Sequence, residues 1–126
     1  MFSHIVVGTN DLDKARGFYN AVLGALGYKD TRESDVAYIY LSDQGFFRVT
    51  IPIDGQPATH ANGGTIGFTC RSIDQVDLWH AAGVATGGRS IQDPPGIRNT
   101  ASGAFYAAYL RDPDGNKLCA LYRMPT

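Results

Sequence analysis

Apolar residues first cluster in the short run His4-Ile5-Val6-Val7, which with its flanks over 2–8 is β-branched and weakly alternating and reads as a strand. The period then lengthens. Leu12, Ala15, Phe18, Val22 and Leu26 recur at three- and four-residue steps, predicting an amphipathic helix of about four turns. Thr9-Asn10-Asp11 offers N-cap residues ahead of it, and Gly24 and Gly27 mark its end. Strands are expected at roughly 28–33, 36–41 and 46–53, the last two joined by a turn at Ser42-Asp43-Gln44-Gly45. The first half therefore reads β-α-β-β-β.

Gly55, Pro57, Gly63 and Gly64 give residues 55–64 the composition of a linker, and the pattern then restarts. Thr65-Ile66-Gly67-Phe68 overlays His4-Ile5-Val6-Val7. At the same offset Leu12 falls on Ile73, Asp13 on Asp74, Ala15 on Val76 and Phe18 on Trp79. Only Ile5/Ile66 and Asp13/Asp74 are identical among these sixteen pairs, so the shared order of polar and apolar classes is the better evidence of duplication. Ser72-Ile73-Asp74-Gln75 forms a capping box at the second helix, whose apolar face takes Ile73, Val76, Trp79 and either Ala82 or Gly83. Strands follow at about 84–91, 104–111 and 117–123. Asp93-Pro94-Pro95-Gly96 breaks the chain between the first two, and Asp112-Pro113-Asp114-Gly115 makes a tight turn between the last two. The fold class expected is α+β, two tandem β-α-β-β-β units in one domain over 1–126: unit one about 1–54, a linker about 55–64, unit two about 65–126. A duplicated strand-helix unit builds a cavity between its copies.

A chain of 126 residues can bury a core without staples. Eleven Lys+Arg against 12 Asp+Glu, with no basic run, argue against a nucleic-acid partner. No apolar stretch reaches the roughly 20 residues of a membrane helix. Met1-Phe2-Ser3-His4 lacks a charged segment followed by an apolar one, so a cytoplasmic protein is expected. Cys70 and Cys119 lie in apolar strand-like runs, with neither CxxC nor zinc-finger spacing, and read as buried free thiols.

The duplicated unit, the opening His4-Ile5-Val6-Val7 with Asp11-Leu12 and Phe18-Tyr19, and the ending Asp112-Pro113-Asp114-Gly115-Asn116-Lys117-Leu118 together resemble the vicinal oxygen chelate superfamily, the glyoxalase, bleomycin-resistance and extradiol-dioxygenase group. The resemblance spans the chain. It implies that each unit curls its strands into half of an open barrel enclosing a cavity, and by family habit a homodimer. It does not imply one reaction, because the group holds isomerases, dioxygenases, thiol transferases and non-catalytic binding proteins. Its metal enzymes place histidine and carboxylate ligands on the first and last strand of each unit, a set suited to a borderline divalent ion with open positions for substrate. Carried over residue by residue, His4 matches the first histidine, Thr65 stands for the second, and Cys119 and Val49 stand for the carboxylates. A slip of one residue would put Arg48 or Thr50 in place of Val49. None of these replacements is a carboxylate.

The resulting expectation is a small organic ligand held in a barrel cavity, with no standard metal site and no cofactor. Expected cavity residues are His4, Phe47, Val49, His60, Thr65, Tyr106, Lys117 and Cys119. His4 has two readings, a cavity-facing base or hydrogen-bond donor, and an inert remnant of a metal site. It is the one catalytic candidate. His60 and Asn62 either lean over the cavity mouth or belong to a solvated loop, and His80 reads as helix surface. Phe47, Val49 and Ile51 alternate on a face that is either core or cavity wall. Of Tyr38, Tyr40, Tyr106 and Tyr109, the sequence does not say which face inward. Two other functions remain: a divalent-metal lyase or dioxygenase using His4, His60 and Cys119, and a metal-free enzyme with His4 as base.

Overall fold

The computed structural model describes residues 1–125; Thr126, the last residue of the expected second unit, lies outside the described residues. The first unit consists of β1 (His4–Gly8), α1 (Leu12–Ala25), β2 (Thr31–Glu33), β3 (Ala37–Ser42) and β4 (Gly45–Thr50). The second consists of β5 (Ile66–Thr69), α2 (Ile73–Ala85), β6 (Arg89–Ser90), β7 (Gly96–Thr100), β8 (Gly103–Arg111) and β9 (Lys117–Arg123). The class is α+β, with two mixed open sheets and, among the described residues, no closed barrel. Their orders are β1-β4-β3-β2 and β5-β9-β8-β6, with β7 also pairing β8. The duplication is visible in the pairing: the first strand of each unit lies parallel to the last, β1 on β4 and β5 on β9. No helix among the described residues is long and apolar enough to cross a membrane.

Local chemistry explains the helix ends. Asp11 caps α1, its carboxylate accepting from the Lys14 amide at 3.1 Å. Ser72 caps α2 by accepting from the Gln75 amide, while Gln75 Oε1 accepts from the Arg71 amide at 2.8 Å, one residue earlier than a strict capping box. The predicted stripe of α1 is the buried one, with Ala15, Phe18, Val22 and Leu26 inside and Leu12 half-buried. On α2 the buried residues are Val76, Trp79 and Gly83.

Two departures concern the second unit. The strand expected over 84–91 shrinks to Arg89–Ser90, because α2 continues to Ala85 and the chain turns at Gly87 with φ +102°. The segment expected only as a break and its sequel contains β7, which zips onto β8 from Gly96↔Ala107 to Thr100↔Gly103. Ile97 is the only large apolar residue of β7 and is 56 % exposed, so pairing rather than burial makes it a strand.

Both units contribute to one apolar cluster between sheets and helices. Val7, Phe18, Tyr19, Tyr40, Phe47 and Val49 come from the first; Trp79, Leu110, Leu118 and Ala120 from the second. Phe47 meets Phe68 edge-on at 5.7 Å, and Phe68 leans on Trp79. A polar hub joins the units beside this cluster. The buried Asp112 carboxylate accepts from the amides of Asp114 and Asn116, from Asn116 Nδ2 at 2.8 Å, and from the Tyr19 hydroxyl of α1 at 2.5 Å. Burial first, then the adjacent Asp112 charge, pushes the Tyr19 phenol well above its ordinary range, which keeps it a donor. The linker is pinned nearby: Asn10 Oδ1 accepts from the Ala58 amide at 2.7 Å and Asn10 Nδ2 donates to the Ala58 carbonyl at 3.1 Å.

Tyr19→Phe leaves Asp112 short of one donor in a buried site. Equilibrium urea unfolding should show a loss of about 1.5–3 kcal/mol, the range for a hydrogen bond to a charged group. A loss under 0.5 kcal/mol, as for an ordinary surface substitution, would deny the hub its role.

Candidate functional site

Strand parity decides which side chains are available. In the first sheet Ile5, Val7, Tyr38, Tyr40, Phe47 and Val49 point to the helices and the core. The opposite, open face carries the alternate residues. Register sets them in rows: His4 beside Phe46 beside Leu41, then Val6 beside Arg48 beside Ile39, then Gly8 beside Thr50. Val49 was expected on the cavity wall and instead lies in the core, 1 % exposed, while Phe47, 7 % exposed, packs in the core and also lines the His4 pocket. The reason is a one-residue slip. Gly67 sits opposite Cys119 in the second sheet, and the residue matching Gly67 in the duplication is Val6, which sits opposite Arg48. Arg48, not Val49, is thus the counterpart of Cys119.

His4 begins β1 and is exposed. Its ring stacks on Phe46 with centroids 4.6 Å apart and planes 4° from parallel, and its Nδ1 lies 2.7 Å from the Ser3 hydroxyl. The pair forms part of the wall of a pocket of about 220 Å³. Tyr28, Tyr40 and Phe47 line it from the first unit, and Ile66, Gly67 and Phe68 from β5. Phe47 therefore reaches this pocket from its core side. Gly45, where the chain enters β4 beneath His4, has φ +139°, and a Cβ there would collide with the Ser3 carbonyl, so glycine is required for β4 to lie this close to β1.

The remaining expected residues do not gather with His4. Thr65 immediately precedes β5 and is exposed. Neither it nor Cys119 lines the pocket that His4 lines. Cys119 is 4 % exposed on β9, beside Tyr109. Burial raises its thiol, opposed by the Tyr109 hydrogen bond and the Arg98 and Lys117 charges. Lys117 lies over the Tyr109 ring at 5.2 Å, on the same open face of the second sheet. Tyr106 has the other parity: it packs toward the core, and its hydroxyl donates to Asp77 of α2 at 2.7 Å. That bond, more than its slight burial, raises its phenol. Tyr109 is the β8 tyrosine on the open face. His60 is exposed and rests against the β8–β9 turn, where a Cβ on Gly115 would come within 3.0 Å of its Nδ1. His80 is half-buried against Ser90, Nε2 to Oγ 2.8 Å, and desolvation lowers its pKa.

With the observed register, the positions that the family resemblance assigns to metal ligands are His4, Arg48, Thr65 and Cys119. A guanidinium is never a ligand, a threonine hydroxyl is a poor one, and the thiol is held protonated by burial. Among the described residues no three His, Cys, Asp or Glu side chains come together. The donor set does not fit a divalent ion.

Arg48 was reachable from sequence only through the alternative register. Its Nε is buried without a hydrogen-bond partner, and Trp79 Nε1 in the core shares that condition. The ion pairs among the described residues are Arg16–Asp13, Arg16–Glu33 and Arg32–Asp30, none of which uses Arg48.

Known structures and families place this arrangement. The chain aligns with a crystal structure of a glyoxalase/bleomycin resistance protein from Albidiferax ferrireducens T118, with TM-score 0.95, 54 % identity, and coverage of 98 % of this chain and 99 % of that one. A glyoxalase-related enzyme from Fulvimarina pelagi (TM-score 0.76, 17 % identity, 98 % and 88 % covered) shares the fold. So does a lactoylglutathione lyase from Agrobacterium tumefaciens (TM-score 0.66, 20 % identity, 97 % and 92 % covered). Curated proteins gave no match. The family model matches residues 1–120, and the chain belongs to the Glyoxalase/Bleomycin resistance protein/Dioxygenase superfamily.

Proposed function

We propose that this protein binds a small organic molecule in the pocket beside His4 and Phe46, without a standard metal site, and works as a homodimer. The observation that carries the reading is the His4–Phe46 stack at the wall of a pocket of about 220 Å³ whose other walls are largely aromatic and aliphatic. A cavity of roughly 150 Å³ already admits benzene, so a single-ring compound is the scale of ligand. Apolar walls with a few convergent polar groups suit an organic compound better than a bare ion. The mismatch of Arg48, Thr65 and Cys119 with metal chemistry supports the same choice. The dimer is supported by apolar side chains left in solvent around the first sheet: Val6 at 47 %, Val36 at 48 %, Ile51 at 43 % and Ile53 at 106 % exposure.

A thermal-shift screen of small aromatic and carbonyl compounds should find binders. For a hit, titration calorimetry should show His4→Ala weakening binding by roughly 0.5–1.5 kcal/mol, the value of one neutral hydrogen bond. Lys14→Ala, exposed on α1, should leave it unchanged. Equal affinities in both variants would remove His4 from the site. Elemental analysis of the purified protein should find well under one transition metal per chain, and added zinc should barely move the melting temperature. A tight site would add about 2.7 kcal/mol at a hundredfold excess over Kd. One metal per chain, lost on His4→Ala, would overturn the metal-free reading. Light scattering at micromolar concentration should give twice the chain mass; a monomer would count against the dimer.

A further inference from the structure

The open face of the second sheet gathers cations without matching anions. Register puts Arg89 of β6 opposite Arg111 of β8, and Arg111 opposite Lys117 of β9, so three cations form one row on one face. Like charges directly opposite each other on a sheet are destabilising. A second row runs Arg98, Phe105, Arg123. Arg89, Arg98, Arg111, Lys117 and Arg123 are five of the chain's 11 Lys+Arg, in a protein of net charge −1. Between the rows lie Tyr109 beside Cys119 beside Gly67, then Gly96 beside Ala107 beside Leu121, with no carboxylate among them. The ion pairs among the described residues use Arg16 and Arg32, and none uses these five. The sequence shows no basic run, because only the register brings these residues together.

Two of the five are held in place near the centre of the face. Lys117 Nζ lies 5.2 Å from the centre of the Tyr109 ring. Arg98 donates from one guanidinium nitrogen to the backbone carbonyls of Asp93 and Pro94, at 2.9 and 3.0 Å. Its other terminal nitrogen lies 3.4 Å from where a Gly96 Cβ would stand, so the guanidinium folds back over Gly96 on the face that holds Tyr109. Both cations are half-buried, and both charges act on the Cys119 thiol, which puts them close to the Tyr109–Cys119 pair. An ammonium and a guanidinium fixed by neutral groups keep their full charge for a ligand from outside. A second copy of the chain does not supply the counter-charge from the open face of its first sheet, whose rows His4–Phe46–Leu41 and Val6–Arg48–Ile39 contain no carboxylate. We infer that this face is a second binding site, for a small oxyanion carrying two or more negative charges, seated over Tyr109 and Cys119 with Lys117 and Arg98 as its direct partners and Arg111 adding charge from the neighbouring row. The site stands apart from the His4 pocket, which none of these residues lines.

The probes are pyrophosphate and citrate, each titrated into the full chain at constant ionic strength so that general screening does not vary. Binding is followed by backbone amide shifts. At least one probe should shift the β8 and β9 amides around Tyr109 and Cys119 in a saturable way. Lys117→Gln and Arg98→Gln should each weaken that binding at least about threefold, the size of one partly screened charge pair, and the double variant should weaken it further. Lys29→Gln removes a charge from an exposed position of the first unit and should leave the affinity unchanged. Binding of pyrophosphate alone assigns a phosphate-type ligand, binding of citrate alone a polycarboxylate, and binding of both the shared charge class. If one single variant does not fold, the other and Arg111→Gln decide the matter. Shifts that are absent or stay linear with both anions would overturn the site. So would saturable shifts centred outside β8 and β9, or unchanged affinity in the folded variants. A loss in Lys29→Gln as large as that in Lys117→Gln would reduce the effect to net-charge attraction and overturn it as well. Each of these failures leaves the proposed His4 pocket standing.

Discussion

The buried Asp112 carboxylate is the constraint on which the rest of the molecule depends. It closes the β8–β9 turn through the Asp114 and Asn116 amides and reaches across to the Tyr19 hydroxyl on α1. A carboxylate inside a protein is tolerable only when its lone pairs are filled, and here four donors fill them. Asp114 extends the link by accepting from the Asn10 amide at 2.8 Å in the β1–α1 loop, and Asn10 in turn holds the linker at Ala58. One polar chain thus ties the first unit, the linker and the second unit beside the shared aromatic core. The Asp112-Pro113-Asp114-Gly115 motif reads locally as a turn, but its first residue is a long-range contact.

That tie determines what remains free. With both helices and the inward faces of both sheets packed into a common core, the outward faces and the edges where β1 and β5 line the same pocket are left open. Parity along β4 therefore matters more than any single residue. Phe46, Arg48 and Thr50 face out while Phe47 and Val49 face in, and a shift of one residue exchanges the two sets.

Much of the architecture was legible in the sequence because it follows from period. The α1 stripe from Ala15 to Leu26, the Asp11 cap and the Ser72/Gln75 box are local signals, and the structure keeps them. The duplication was legible as an order of classes, and the parallel β1–β4 and β5–β9 pairs realise it. The site was less legible. Gly45-Phe46-Phe47-Arg48-Val49-Thr50 places an aromatic on each parity, so only the register with β1 assigns Arg48 to the open face. Tyr106 and Tyr109 differ in parity as well, and Asp77 on α2, a tertiary neighbour, claims the first. β7 went unread because Ile97 is its single large apolar residue and its backbone pairing with β8 leaves no mark on hydropathy.

The positions that the resemblance assigns to metal ligands hold, in this chain, one histidine, one arginine, one threonine and one buried thiol. That set is the ground on which we propose recognition of an organic molecule rather than chelation. The most direct measurement is electron density beside the His4–Phe46 pair in crystals of the protein grown with a binder from the screen. The account predicts an organic molecule packed on that pair. A metal ion bonded to His4 at roughly 2.0–2.3 Å would contradict it.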